Sequence, residues 1–172
     1  MRQFLFLLLI FLSGNALSAQ VPTRSPRTAN YTIQLTLDTA QHRITATQQV
    51  HFQNPSSDTI WTMPFHLYYN AFSNNRSTFY LEAGGFFGRK SAADIAAGQW
   101  ARMQVLDIAD QAGNNLLDSL SYLQQGNPND HTILQVRLKN PILPYGTCTL
   151  EMAWQSQIPK ASIRTGYLRD YY

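Results

Sequence analysis

The chain has 172 residues, a formal net charge of +3 and one cysteine, Cys148. The basic residues are scattered and form no run and no nucleic-acid-binding motif, so no nucleic-acid partner is expected. A single cysteine excludes an intrachain disulfide, and Cys148 alternates with apolar residues, as a packed small hydrophobe would.

Residues 1–19 read as a secretory signal peptide. Arg2 precedes an apolar run from Phe4 to Leu12, and the small residues Ser13, Gly14, Ala16, Ser18 and Ala19 follow it. The run is shorter than the about 20 residues that a spanning helix takes. Export to a periplasmic or extracellular space is therefore expected, with no retained transmembrane helix. Residues 20–30 contain two prolines and no apolar periodicity, and read as a linker. A β-rich domain is expected over 31–172.

That domain begins with a clear alternation. Tyr31, Ile33, Leu35 and Leu37 fall on one face, and Thr32, Gln34, Thr36 and Asp38 on the other, the pattern of a half-buried strand. The polar stretch DTAQH supplies a turn. A second alternation places Ile44, Ala46, Val50 and Phe52 together, with Gln48 interrupting the apolar face. Asn54 and Pro55 open another turn. The stretch TIWTMPFHLYYNAF, residues 59–72, reads as a third strand ending near Tyr68 in an aromatic corner. Its regular alternation predicts Trp61, Met63 and Phe65 on one face and Thr62, Pro64, His66 and Tyr68 on the other. Pro64 lacks a backbone donor, which predicts an edge strand or a bulge.

Residues 70–90 lose the alternation and read as a long excursion with little regular structure. The segment 91–100 fits a short helix or a loop. Strand character returns at ARMQVLDIAD, while LLDSLSYLQQ reads equally as strand or helix. HTILQVRL and TCTLEMAWQSQI are further strands, separated by the proline-bounded turn KNPILPYG. Six or seven strands with turn punctuation make an all-β, antiparallel, sandwich-like domain.

The chemistry-bearing motifs are sparse. The four histidines, His42, His51, His66 and His131, lack the His-Glu-x-x-His spacing that sets two zinc ligands and a base on one helix face. There is no Gly-x-Ser-x-Gly elbow and no phosphate-binding loop. His66 sits among aromatic residues and is expected to be structural.

Several stretches in order resemble the N-terminal domain of aminopeptidase N-like (gluzincin) zinc metallopeptidases, in their bacterial branch. The corner Phe65-His66-Leu67-Tyr68-Tyr69-Asn70-Ala71-Phe72 is followed by Ser77-Thr78-Phe79. A later strand leads into the turn Leu138 to Gly146, in which Tyr145 intrudes before the glycine. Arg164 to Tyr167 is similar to the lead-in of that family's substrate loop. The resemblance implies a saddle-like, multi-sheet β-domain that packs on a thermolysin-like catalytic domain of the same polypeptide and helps hold the free amino end of a peptide substrate. It also implies that zinc belongs to that catalytic domain. No catalytic, cofactor-binding or metal-ligating residue is therefore expected in this chain, which stops at Tyr172 and reads as a truncated part of a secreted peptidase, inactive by itself. The alternative reading is a stand-alone secreted β-sandwich that binds peptide or carbohydrate through exposed aromatics such as Phe86, Phe87 and Trp100.

Overall fold

The computed structural model describes residues 27–82, 100–124, 126–160 and 165–172. The expected signal peptide, most of the linker, all of the candidate helix at 91–100 except Trp100, and Phe86, Phe87 and Arg164 lie outside these residues. Seven strands are described: β1 (Ala29–Asp38), β2 (Arg43–Gln53), β3 (Ile60–His66), β4 (Arg102–Asp110), β5 (Leu120–Tyr122), β6 (Ile133–Ile142) and β7 (Thr147–Gln157). They form an all-β domain of two antiparallel sheets. The larger sheet has the order β1-β2-β7-β4, and the smaller has the order β3-β6-β5.

The first strand starts two residues earlier than its alternation suggests. Ala29 already pairs with Phe52, and the Gln53 amide donates to the Thr28 carbonyl. The β1–β2 turn closes because Asp38 Oδ1 accepts from the Ala40 and Gln41 amides, at 2.9 and 3.0 Å. The Asn54 turn is held in the same currency. Its buried side chain accepts from Ser56 and donates to the Asp58 and Leu143 carbonyls. The β6–β7 turn is shorter than KNPILPYG suggests, since β6 runs on to Ile142. Tyr145 takes a left-handed φ of 59° there, and a Cβ at Gly146 would come within 3.0 Å of the Leu143 carbonyl oxygen.

The core lies between the sheets. Val50, Val105, Ile108, Leu150 and Met152 of the larger sheet meet Met63, Leu134, Val136 and Leu138 of the smaller. Burial of these aliphatic side chains is the main stabilising contribution. The LLDSLSY segment resolves its double reading by being both: a single 3-10 turn over Leu117–Ser119, then the three-residue β5.

The 70–82 stretch carries more regular structure than its composition suggests. A 3-10 turn spans Tyr68–Phe72, and a short helix, α1, spans Thr78–Glu82. Asp130 accepts from the Thr132 amide and hydroxyl and from the Thr78 amide at the start of α1. Burial opposes its ionisation, but these donors outweigh it and hold the carboxyl below its ordinary value.

Two departures concern the apolar alternation. Trp61 does not join Met63 and Phe65 in the core but is exposed; beside it the β3–β6 register shifts between Ile60 and Thr62, with the extra residues, 138–141, on β6. The second departure is larger. Tyr31, Ile33, Leu35 and Leu37 are not half-buried; each is exposed, up to 60% for Leu35.

Candidate functional site

The exposed row on β1 follows from register. Tyr31 stands opposite Val50, Ile33 opposite Gln48, Leu35 opposite Ala46 and Leu37 opposite Ile44. Side chains directly opposite share a face, so this row continues the face that carries the core. Val50 is 1% exposed beneath the smaller sheet, whereas Tyr31, one strand further out, is 56% exposed. No β1 residue belongs to the core cluster. Among the described residues, the smaller sheet covers the β2-β7-β4 side of the larger one and does not extend over β1. Covering what remains open would contribute roughly 1 kcal/mol per side chain.

Gln48 interrupts the apolar face for a reason the sequence does not reveal. Its Oε1 accepts the indole N–H of Trp154 at 3.0 Å, and its amide reaches the Met152 sulfur at 3.3 Å. The polar residue thus satisfies a tryptophan that would otherwise desolvate its donor.

The opposite face of the larger sheet is polar. It carries a hollow of about 370 Å³, lined among others by Thr32, Gln34, Thr47, Gln49, Asp107 and Glu151. Ala109 stands opposite Glu151, and Ala153 opposite Asp107, so two small side chains on adjacent rows open the depression. Gln49 Nε2 approaches Glu151 Oε1 at 3.4 Å.

The histidines are dispersed. His51 bonds Thr149 Oγ1 at 3.1 Å on the polar face. His66, at the end of β3, is exposed and stacks on Tyr68 with ring centroids 5.0 Å apart; His131 stacks on Tyr122 at 4.4 Å. His42 lies in the β1–β2 turn, stacked on Tyr167 at 3.4 Å. Its Nδ1 is 2.8 Å from the Tyr172 hydroxyl, which donates to the Thr39 carbonyl. With that hydrogen committed, Nδ1 carries its own hydrogen and donates to the Tyr172 oxygen. Burial, Asp170 and Asp38 push the Tyr172 phenol up from its usual value.

The residue that matters most in the aromatic corner is Asn70, not His66. Asn70 is buried, donates to the Met103 and His131 carbonyls at 3.1 and 3.0 Å, and accepts from the Met103 amide at 2.8 Å. It ties the corner to the edge of β4. An asparagine inside an apolar aromatic run is the signal that identifies it, since only a pinned amide belongs there.

Cys148 is half-buried against the core, and burial together with Asp110 raises its thiol pKa. An electronegative, partly desolvated position disfavours the thiolate. Trp100 is half-buried and meets Tyr80 in a T-shaped contact with ring centroids 6.0 Å apart. Among the described residues, no three His, Cys, Asp or Glu side chains converge as a metal-binding group. Also among them, no helix is long and apolar enough to cross a membrane. No protein-family model matches the chain, and no curated protein matches it.

Proposed function

We propose that this chain is the non-catalytic N-terminal β-domain of a secreted, zinc-dependent aminopeptidase-like metallopeptidase. In this reading it supports a catalytic domain of the same polypeptide that hydrolyses peptides. The observation that carries the reading is the uncovered apolar row Tyr31, Ile33, Leu35 and Leu37, set on the core face of a sheet whose other half is packed. Rows of that kind mark interfaces rather than solvent-facing surface. The corner sequence Phe65 to Phe72, with its pinned Asn70, supports the family resemblance.

The described residues do not fit zinc, because their histidines point to separate neighbours and no donor set converges. Zinc chemistry in this reading belongs to the catalytic domain, and no step is assigned to residues here. The test is the reading frame beyond codon 172. An in-frame continuation encoding His-Glu-x-x-His is expected, and a continuation without any metal motif overturns the reading. The 172-residue chain alone is expected to turn over no aminoacyl reporter.

One observation favours a second reading, a binding module for peptide or carbohydrate. The hollow on the polar face presents hydroxyls, amides and two carboxylates without an aromatic floor. Saturable binding of an oligosaccharide or peptide, abolished by Ala153→Trp, would support it over the first reading.

A further inference from the structure

The two sheets expose four strand edges, and three of them carry a device that blocks further pairing. β3 contains Pro64, and its ladder with β6 is interrupted beside Trp61. β5 is only three residues long. β4 is bulged at Leu106, and its backbone is engaged along its length. The Ala101 amide donates to the Phe72 carbonyl, Asn70 brackets Met103, and the Ile108 carbonyl accepts from the Leu116 amide. Such devices are how β-proteins prevent edge-to-edge association.

β1 has none of them. Its ten residues include no Pro, Lys, Arg or Gly, and its only charge is Asp38 at the last position. Its register with β2 runs through ten pairs without a bulge. Among the described residues β2 is its only sheet neighbour. A long, flat, uncharged edge is a template for another strand.

The order of its side chains says which strand. We propose that β1 is a self-recognition edge through which two copies of this chain join antiparallel, with Gln34 of each copy opposite Gln34 of the other. A two-fold axis at Gln34 pairs Tyr31 with Leu37, Ile33 with Leu35, Thr32 with Thr36 and Asn30 with Asp38. Apolar meets apolar on one face, hydroxyl meets hydroxyl on the other, and each Asp38 meets an asparagine rather than its own charge. Moving the axis by one residue changes the match at the ends of the row, setting Tyr31 opposite Thr39 or Leu37 opposite the smaller Ala29. Cross-strand pairs of matched character are the unit of sheet stabilisation, and an isologous two-fold contact needs this kind of self-complementarity. The two larger sheets become one eight-stranded sheet, and the apolar rows of both copies merge at its centre. One strand pair buries less than the roughly 1,000 Å² of a stable interface, so the dimer is weak and concentration-dependent. The join uses the backbone edge of β1, and its apolar face stays available for the docking proposed above.

Single-cysteine cross-linking tests the register, on the full chain carrying Cys148→Ser and purified as its host leaves it. Directly opposite Cα atoms lie about 4.5–5.5 Å apart, within disulfide reach. Two Thr32 positions are about 14 Å apart in the same arrangement and out of reach. Gln34→Cys is expected to oxidise to a disulfide dimer at high protein concentration, Thr32→Cys alone to stay monomeric, and a mixture of Thr32→Cys with Thr36→Cys to give the heterodimer. Leu35→Lys added to Gln34→Cys is expected to lower the dimer yield at least tenfold, with the circular dichroism spectrum unchanged. A Gln34→Cys chain that stays monomeric, or a Thr32→Cys chain that dimerises equally well, overturns the proposal. Both results leave the reading frame beyond codon 172, and hence the docking reading, untouched.

Discussion

The two edges of the larger sheet began from similar chemistry and ended differently. β1 and β4 are both outer strands of nine or ten residues, and each contributes apolar side chains to the same face. On β4 that face is buried through Val105 and Ile108, while on β1 the equivalent row lies open. The backbone tells the same story, since β4 is bracketed by Asn70 and by the turn at Asn114 to Leu116, while among the described residues β1 has no sheet neighbour besides β2. The difference shows that a strand's own alternation defines which side chains share a face, whereas cover comes from segments distant in sequence. Phe72 and Asn70 reach β4 from the far side of the excursion at 73–101, and no pattern within β4 announces them.

The comparison breaks most sharply at Asn70. Asn70→Ala leaves the Met103 amide and two carbonyls without partners inside the fold, at about 1–3 kcal/mol for each buried orphan. The expected loss is about 3 kcal/mol in urea unfolding, with faster hydrogen exchange at the Met103 amide. An unchanged midpoint would show that β4 does not depend on its bracket. Next in size is the pair Tyr31 and Val50, which face each other across β1 and β2. Val50→Ala removes packed methyl groups and is expected to cost about 2 kcal/mol. Tyr31→Ala acts on an open side chain and is expected to change stability by less than about 0.5 kcal/mol. Equal effects would mean that β1 is covered in solution.

A smaller effect is expected with pH. Asp110 Oδ1 accepts from the Ala112 and Asn114 amides, and the Asn114 side chain donates to both carboxyl oxygens. Burial pushes the carboxyl up, but the Asn114 and Ala112 hydrogen bonds and nearby Lys139 outweigh it and hold the pKa low. A carboxyl with a depressed folded pKa stabilises the fold above its unfolded value and loses that contribution as pH falls through the folded value. Below the usual carboxylate range, the turn that covers the end of β4 is therefore expected to loosen. Protection of the Leu116 amide, taken relative to its intrinsic exchange rate at each pH, would fall on acidification, and Asp110→Asn would flatten that fall. Asp110 is only half-buried and its charge is screened by solvent, so the change in the unfolding midpoint should be slight. Smallest of all is Ile33→Thr, expected within about 0.5 kcal/mol of the parent because Ile33 is 48% exposed and outside the core cluster.

The strands were largely legible because period-two alternation is a local signal. Turns at Asp38 and Asn54 were legible because their side chains bond their own backbone a few residues on. Trp61 was misplaced because it lies where the β3–β6 register is interrupted by extra residues on β6, which nothing in the alternation of β3 announces. The row on β1 was read correctly as a face and wrongly as half-buried, since burial depends on how far the smaller sheet extends. His66 drew attention as a chemical group, while Asn70 carried the structural role. Asn70 could be weighed only once its partners at Met103 and His131 were brought beside it.

Gln48 has one more consequence, for strand alignment. The apolar face of β2 repeats every second residue, so a two-residue slip against β7 would still set aliphatic side chains against aliphatic side chains. Hydrophobicity alone therefore leaves the alignment degenerate. A slip in one direction carries Gln48 beside Leu150 and strands the Trp154 N–H; a slip in the other drives its amide directly opposite the indole ring. Only the observed alignment, with Gln48 opposite Met152 and within 3.0 Å of the Trp154 nitrogen, satisfies both. The single polar residue on that face acts as the key that sets the register of the central strand pair.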